Sequence, residues 1–205
     1  MLSASAAQAG IGEEDALRAD LYDFLGALLA RPPSKDLLEK AAGLTGDDTP
    51  LGRATGALAR IAATTGERAA KVEFEKLFVG LGRGELLPYA SFYMTGFLNE
   101  KPLAMLRNEM GRLGIVRAPN VFEPEDNIAS ICEMMAGLIR GRFFVAADLQ
   151  RQREFFNRFA APWAGHFFDD LAGAKNSVLY APVGAIGATF MEIEREAFRM
   201  AGGSN

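Results

Sequence analysis

Apolar residues recur along most of this chain in steps of three and four, the spacing of one face of an α-helix. From Glu13, the set Leu17, Leu21, Phe24, Leu25 and Leu28 predicts a helix with acids in its first turn, stopped by Arg31-Pro32-Pro33. Ser34 is placed to cap a short helix carrying Leu37, Leu38 and Ala41. Thr49 followed by Pro50 reads as a cap and first helical residue, opening an alanine-rich helix to about Thr65. A further helix from Glu67 carries Val72, Phe74, Leu77 and Phe78. Beyond it come Ser91–Leu98, then Pro102–Leu113 ended by Gly114, then Asn127–Phe143, which holds the best apolar stripe: Ile128, Ile131, Cys132, Met135, Leu138 and Ile139. Asp148–Phe159, Pro162–Leu171 and Pro182–Met200 complete the set. No run of strict alternation bounded by turn signals predicts a strand. The expectation is an all-α, single-domain multi-helix bundle over residues 13–201, with the small and polar residues 1–12 as a disordered tail.

Two stretches break the periodicity. Leu77–Gly96 contains glycines at 80, 82 and 84, then Leu87-Pro88-Tyr89, then Ser91, Phe92 and Tyr93, so large apolar groups fall on or beside a loop. Pro119–Asn127 is the second, with the acidic cluster Glu123, Glu125 and Asp126. Loops held by a rigid scaffold commonly carry binding groups, although such aromatics can equally fold back into the core.

Composition narrows the function classes. Hydrophobic residues make up 49% and charged residues 23%, enough apolar mass for a core. Net charge is -4 and no basic block stands out, which argues against a nucleic-acid surface. The chain has one cysteine, Cys132, and one histidine, His166. An internal disulfide is therefore impossible, and neither a zinc site nor a two-histidine di-iron site can be built from the pair. The N-terminus lacks a basic region followed by an apolar one, and the longest uncharged run, Asn176–Met191, is too short and too broken for a membrane span. These features read as a soluble cytoplasmic protein.

Candidate chemistry is sparse. The run Gly80–Glu85 superficially resembles a phosphate-cradling loop, but no strand precedes it and no Gly-Lys-Ser/Thr follows. The carboxylates at 123–126 could do acid–base work only with a second catalytic group, and Asp126 is also placed to cap the helix that follows. His166 beside Trp163, Phe167 and Phe168 reads as a packed or surface residue, and Cys132 as a small hydrophobe.

Four motifs in order carry a resemblance: Leu77-Phe78; Leu87-Pro-Tyr-Ala-Ser-Phe-Tyr93; Glu123-Pro-Glu-Asp-Asn127; and Ala161-Pro-Trp-Ala-Gly-His-Phe-Phe-Asp-Asp-Leu171. Together they resemble the TorD/DmsD family of redox-enzyme maturation chaperones, from about Leu21 to Phe198. The resemblance implies an all-helical fold, no catalytic reaction, no cofactor and no metal. It implies a cytoplasmic chaperone that binds the twin-arginine leader, or the apo form, of a molybdopterin-dependent oxidoreductase catalytic subunit and holds back export until the cofactor is inserted. Some members form domain-swapped homodimers, and weak guanine-nucleotide binding has been proposed for the family. By position, Leu77, Phe78, Pro88 and Tyr89 match the segment associated with leader recognition, and Asp126 matches the acid of a Glu-Pro-x-Asp-His pattern. Asn127 replaces the usual His, and Leu87-Pro88-Tyr89-Ala90-Ser91 departs from the family's Pro-Pro-Tyr-Glu-Ser.

The expected binding set is thus Leu77, Phe78, Leu87, Pro88, Tyr89, Phe92, Glu123, Asp126 and Asn127. Phe78, Leu87, Tyr89 and Phe92 would line an apolar groove, and Glu123, Glu125 and Asp126 would meet the leader's arginines, with the two irregular stretches side by side. Alternative readings are an assembly factor for a non-exported, nitrate-reductase-type enzyme, a nucleotide-dependent switch using Gly80–Gly84, and a helical adaptor for another peptide.

Overall fold

In the computed structural model, which describes residues 11–80, 83–119, 121–143 and 146–202, helices form where the steps of three and four place them. They are α1 (Glu13–Ala30), α2 (Lys35–Ala42), α3 (Pro50–Ala62), α4 (Glu67–Phe74), α5 (Ala90–Thr95), α6 (Lys101–Leu113), α7 (Ile128–Arg140), α8 (Leu149–Phe155), α9 (Ala164–Gly173) and α10 (Tyr180–Gly202). No strand occurs among the described residues, and the architecture is all-α. Residues 1–10, within the expected tail, lie outside the described residues, as do Leu81, Gly82 and Asn120 of the two irregular stretches.

The local capping signals act as expected for α2 and α3, and α8 carries a cap of the same kind. Ser34 Oγ accepts from Leu37 N, Thr49 Oγ1 from Gly52 N and Asp148 Oδ1 from Arg151 N, each satisfying a free amide of a first turn. Gly114 and Gly141 end α6 and α7 at φ 66° and 71°, where a Cβ would be strained. The cap of α7 corrects the sequence reading. Asn127 Oδ1 accepts from Ala129 N at 2.9 Å, while Asp126 turns away to another helix.

A central layer sets α1 along α7, and α10 is flanked by α9 and α3. Buried apolar residues from Ala19 to Phe198 form one cluster, with Trp163, Tyr22, Tyr180, Phe156, Phe167 and Phe168 its largest fully buried side chains. Close approach of α9 to α10 depends on Gly187, where an added Cβ would lie 2.2 Å from the Phe168 ring. The stripe of α7 is buried as predicted, and that of α1 is buried at Leu25 and Leu28, with Leu21 and Phe24 packed on the core, but it fails at its first position. Leu17 is 64% exposed, and Tyr22 and Leu29 face the core instead. Val72 of α4 is likewise exposed.

α1 also contributes to a buried ionic cluster. Arg18 donates through Nε and Nη2 to Glu194 of α10 at 2.7 and 2.8 Å, Tyr22 Oη donates to the same carboxylate at 3.0 Å, and Arg18 Nη1 also reaches Asp15 and Gln152. Glu194 is completely buried, so a paired guanidinium and a phenol are what allow a carboxylate to stay there. No helix among the described residues is long and apolar enough to cross a membrane.

Candidate functional site

The stretch after α4 begins with a π-helical turn, Glu75–Val79, closed by Gly80 N donating to Glu75 O at 2.7 Å. This wider turn separates two neighbours. Leu77 is fully buried, while Phe78 is half-buried and is held edge-on by Phe74 at 4.9 Å and Tyr180 at 5.5 Å. Beyond it the chain folds back on the turn, with Glu85 N and Leu86 N donating to Lys76 O and Leu77 O. Gly80 and Gly84 serve this reversal. A Cβ on either would lie 1.9 Å from Arg83 O or 2.5 Å from Phe78 C. At both glycines the backbone approaches itself closely, and Glu85 points across to accept from Lys175 N, Asn176 N and Asn176 Nδ2.

The two irregular stretches lie against each other. Tyr89 and Asn127 form an isolated antiparallel bridge, in which Ile128 N donates to Pro88 O and Ala90 N to Asp126 O, both at 2.9 Å. Tyr89 Oη donates to Glu123 Oε1 across the same junction. The bridge forms one wall of a cleft of about 480 Å³, lined by Phe74, Phe78, Val79, Pro88, Tyr89, Val121, Glu123 and Asn127. The opposite wall is α1 and α7, through Leu29, Ala30, Ala129, Ser130 and Glu133.

Of the expected set, Phe78, Pro88, Tyr89, Glu123 and Asn127 line this cleft. The other four do not. Leu77 lies beneath it in the core, Leu87 is half-buried outside it, and Phe92 stacks under Arg83 at 5.2 Å and beside Tyr93. Asp126 is 1% exposed, because its Oδ2 accepts from Ser91 N at 2.8 Å and Ser91 Oγ at 2.6 Å. A carboxylate so enclosed cannot reach a peptide on the surface. Glu125 is also engaged, with Arg107 at 2.8 Å and Arg117 at 3.7 Å. Burial pushes the Glu125 carboxyl up, but the hydrogen bond from Arg107 and the two positive charges outweigh it and hold it below its ordinary range.

The acids that do face the cleft are Glu123 and Glu133, and no Lys, Arg or His lines it. Desolvation raises the Glu123 carboxyl. Desolvation, then the neighbouring Asp23, raises that of Glu133. Glu133 was missed from the sequence because it stands on the best amphipathic helix as an ordinary polar-face residue. Its i+4 relation to Ala129 is the signal that places both on the cleft side. Glu133 and Ala30 also line a larger cleft of about 740 Å³, bounded by α1, α2 and Arg142, so the two hollows adjoin.

Cys132 is buried and its thiol is pushed up by desolvation. His166 is exposed on α9, and Asp170 accepts from Tyr93 Oη at 2.8 Å. The cleft therefore offers aromatic and aliphatic walls with two carboxylates, Glu123 bonded by Tyr89 and Glu133 within the field of Arg142 and Arg31, an arrangement that suits an extended peptide carrying both apolar and cationic side chains.

Comparison with known proteins is consistent along the chain. Residues 44–169, more than half of it, match the family described as nitrate reductase delta subunit. Chaperone protein TorD of Vibrio cholerae is 28% identical over 130 residues, covering 60% of this chain and 59% of that protein. Chaperone protein TorD of Aliivibrio salmonicida is 26% identical over 204 residues, covering 86% and 92%. Among solved structures, a candidate redox enzyme maturation protein of Archaeoglobus fulgidus superposes with a TM-score of 0.55 at 20% identity, over 86% of this chain and 94% of that one.

Proposed function

The chain belongs to the nitrate reductase delta subunit family, and from that premise we propose that it is a cytoplasmic maturation chaperone for the catalytic subunit of a molybdopterin-dependent oxidoreductase. It binds the twin-arginine leader of that subunit, assists cofactor insertion on the apo form, and holds back export until insertion is complete. The carrying observation is the cleft between the Tyr89–Asn127 bridge and the α1–α7 wall, which combines Phe78, Pro88 and Tyr89 with the carboxylates of Glu123 and Glu133 and has no lining cation. The apolar part of a leader gains about 25 cal/mol per Å² buried there, and its arginines find two acids whose partial desolvation strengthens a charge-assisted contact. The names of the matched chaperones support the same class of work.

A second reading, an assembly factor for an enzyme that is not exported, is favoured by the description of the matched family itself. Affinity purification of the tagged protein from its native cytoplasm, with mass spectrometry of what is retained, separates the two. A molybdoenzyme subunit still carrying its leader supports the first reading, and the same subunit without a leader supports the second. Failure to retain any redox subunit under molybdenum-respiring growth overturns both. Sedimentation of the purified chain tests the domain-swapped homodimer that the resemblance implies.

A further inference from the structure

Asp126 sits behind the cleft rather than in it, and its bonds show what it holds. Its Oδ2 receives both the backbone amide and the hydroxyl of Ser91, in the first turn of α5, and its own carbonyl receives Ala90 N. Ser91 is itself fully buried, its Oγ accepts from Glu100 N at 3.3 Å, and its carbonyl accepts from Thr95 Oγ1 at 2.7 Å. One side chain thus ties the segment before α7 to the start of α5 and, through Ser91, to the start of α6. Tyr89 and Pro88, which line the cleft, lie immediately before the tied residues, and Glu123 lies three positions before Asp126.

We propose that Asp126 is a positioning residue for client binding: through Ser91 it holds the Tyr89 and Glu123 segments together as one wall of the cleft, and it does not itself meet the client. This rests on the leader-binding reading above. The other carboxylate oxygen, Oδ1, is buried without a hydrogen-bond partner among the described residues, and Asp126 borders a cavity of about 30 Å³ lined by Met94, Met105, Leu106, Ile131 and Arg158. Both bonds from Ser91 fall on Oδ2, so what the tie uses directly is an acceptor at that position. Asparagine supplies that acceptor, and alanine does not.

The test uses the full chain and a synthetic twin-arginine leader peptide, with affinity read by fluorescence anisotropy over a range of salt concentrations and amide exchange read on the free protein. Asp126→Ala is expected to weaken binding roughly ten-fold, and Ser91→Ala, which keeps its backbone amide bond to Oδ2, roughly three-fold. The double variant is expected to be no weaker than Asp126→Ala alone, since Ser91→Ala removes one of the two bonds that Asp126→Ala already removes. Asp126→Asn is expected to bind within about three-fold of wild type, and none of these variants flattens the salt dependence. In the free protein, Ala90 N and Ile128 N are expected to lose protection in both alanine variants and to keep it in Asp126→Asn. The proposal is overturned if Asp126→Asn binds as poorly as Asp126→Ala with a flattened salt dependence, because the charge would then be meeting the peptide. It is equally overturned if Asp126→Ala binds and exchanges like wild type. A wild-type chain that binds no leader overturns the leader reading, while the exchange pattern still decides whether the tie exists.

Discussion

Glu123 and Asp126 stand three positions apart, one at the cleft and one sealed behind Ser91. Residue type in a motif shows that acids are present, but their separation into surface and interior is decided by the bridge at Tyr89 and Asn127, which the sequence pattern does not display. Replacing Glu123 or Glu133 by Gln is expected to weaken binding of a twin-arginine peptide by about five-fold each, the scale of a partly solvated ion pair. The same titrations should show a shallower salt dependence for both variants. The buried residues give a larger expected effect. Arg18→Ala leaves Glu194 without its guanidinium, and chemical denaturation should show a loss of about 3–5 kcal/mol. Adding Glu194→Leu to Arg18→Ala should recover part of it, because the uncompensated charge is then gone. Neither residue was legible as important. Glu194 lies among Glu192, Arg195 and Glu196, and what singles it out is its bonds to Arg18 and Tyr22 of α1.

At the scale of the element, helices were legible where a stripe and a neighbouring cap agree, as for α2, α3 and α6. Caps supplied from a distance were not legible. Glu73 of α4 accepts from Val178 N, Leu179 N and Tyr180 N and so satisfies the start of α10, more than a hundred positions later in the chain. Glu67 accepts from Lys35 N at the start of α2, and Asp126 from Ser91 N in the first turn of α5. A carboxylate reaching across the fold leaves no Ser-x-x-Glu signature beside the helix it serves, so α10 was expected to begin at Pro182 rather than Tyr180. Glu73→Ala is expected to cost about 1–2 kcal/mol in denaturant unfolding, the range for losing a cap. The π-helical turn at Glu75–Val79 was equally unreadable. Its consequence is that Leu77 and Phe78, quoted together as one motif, serve the core and the cleft respectively.

For the whole molecule, the cleft carboxyls and the structural ones titrate in opposite directions, which separates binding from folding along the pH axis. Glu123 and Glu133 are raised above the ordinary carboxylate value of about 4.3, so they take up protons early as pH falls. Glu125 is depressed; the stability it contributes is present above its unfolded value and is lost only as pH falls through the lower folded one. Peptide affinity should therefore decline on acidification from neutral pH while the circular dichroism of the helices holds. If affinity and helicity fell together, acid would be acting on the fold instead of on the cleft.

The tie between Arg18 and Glu194 spans 176 positions, joining the first helix to the last. During synthesis the guanidinium leaves the ribosome 176 residues ahead of the carboxylate that partners it. Until Glu194 emerges, Arg18 and Tyr22 lack the group they share, and the loop their tie closes is a long one. A protein proposed to keep another from leaving too soon must itself wait, through 176 positions of its own synthesis, before this tie can close.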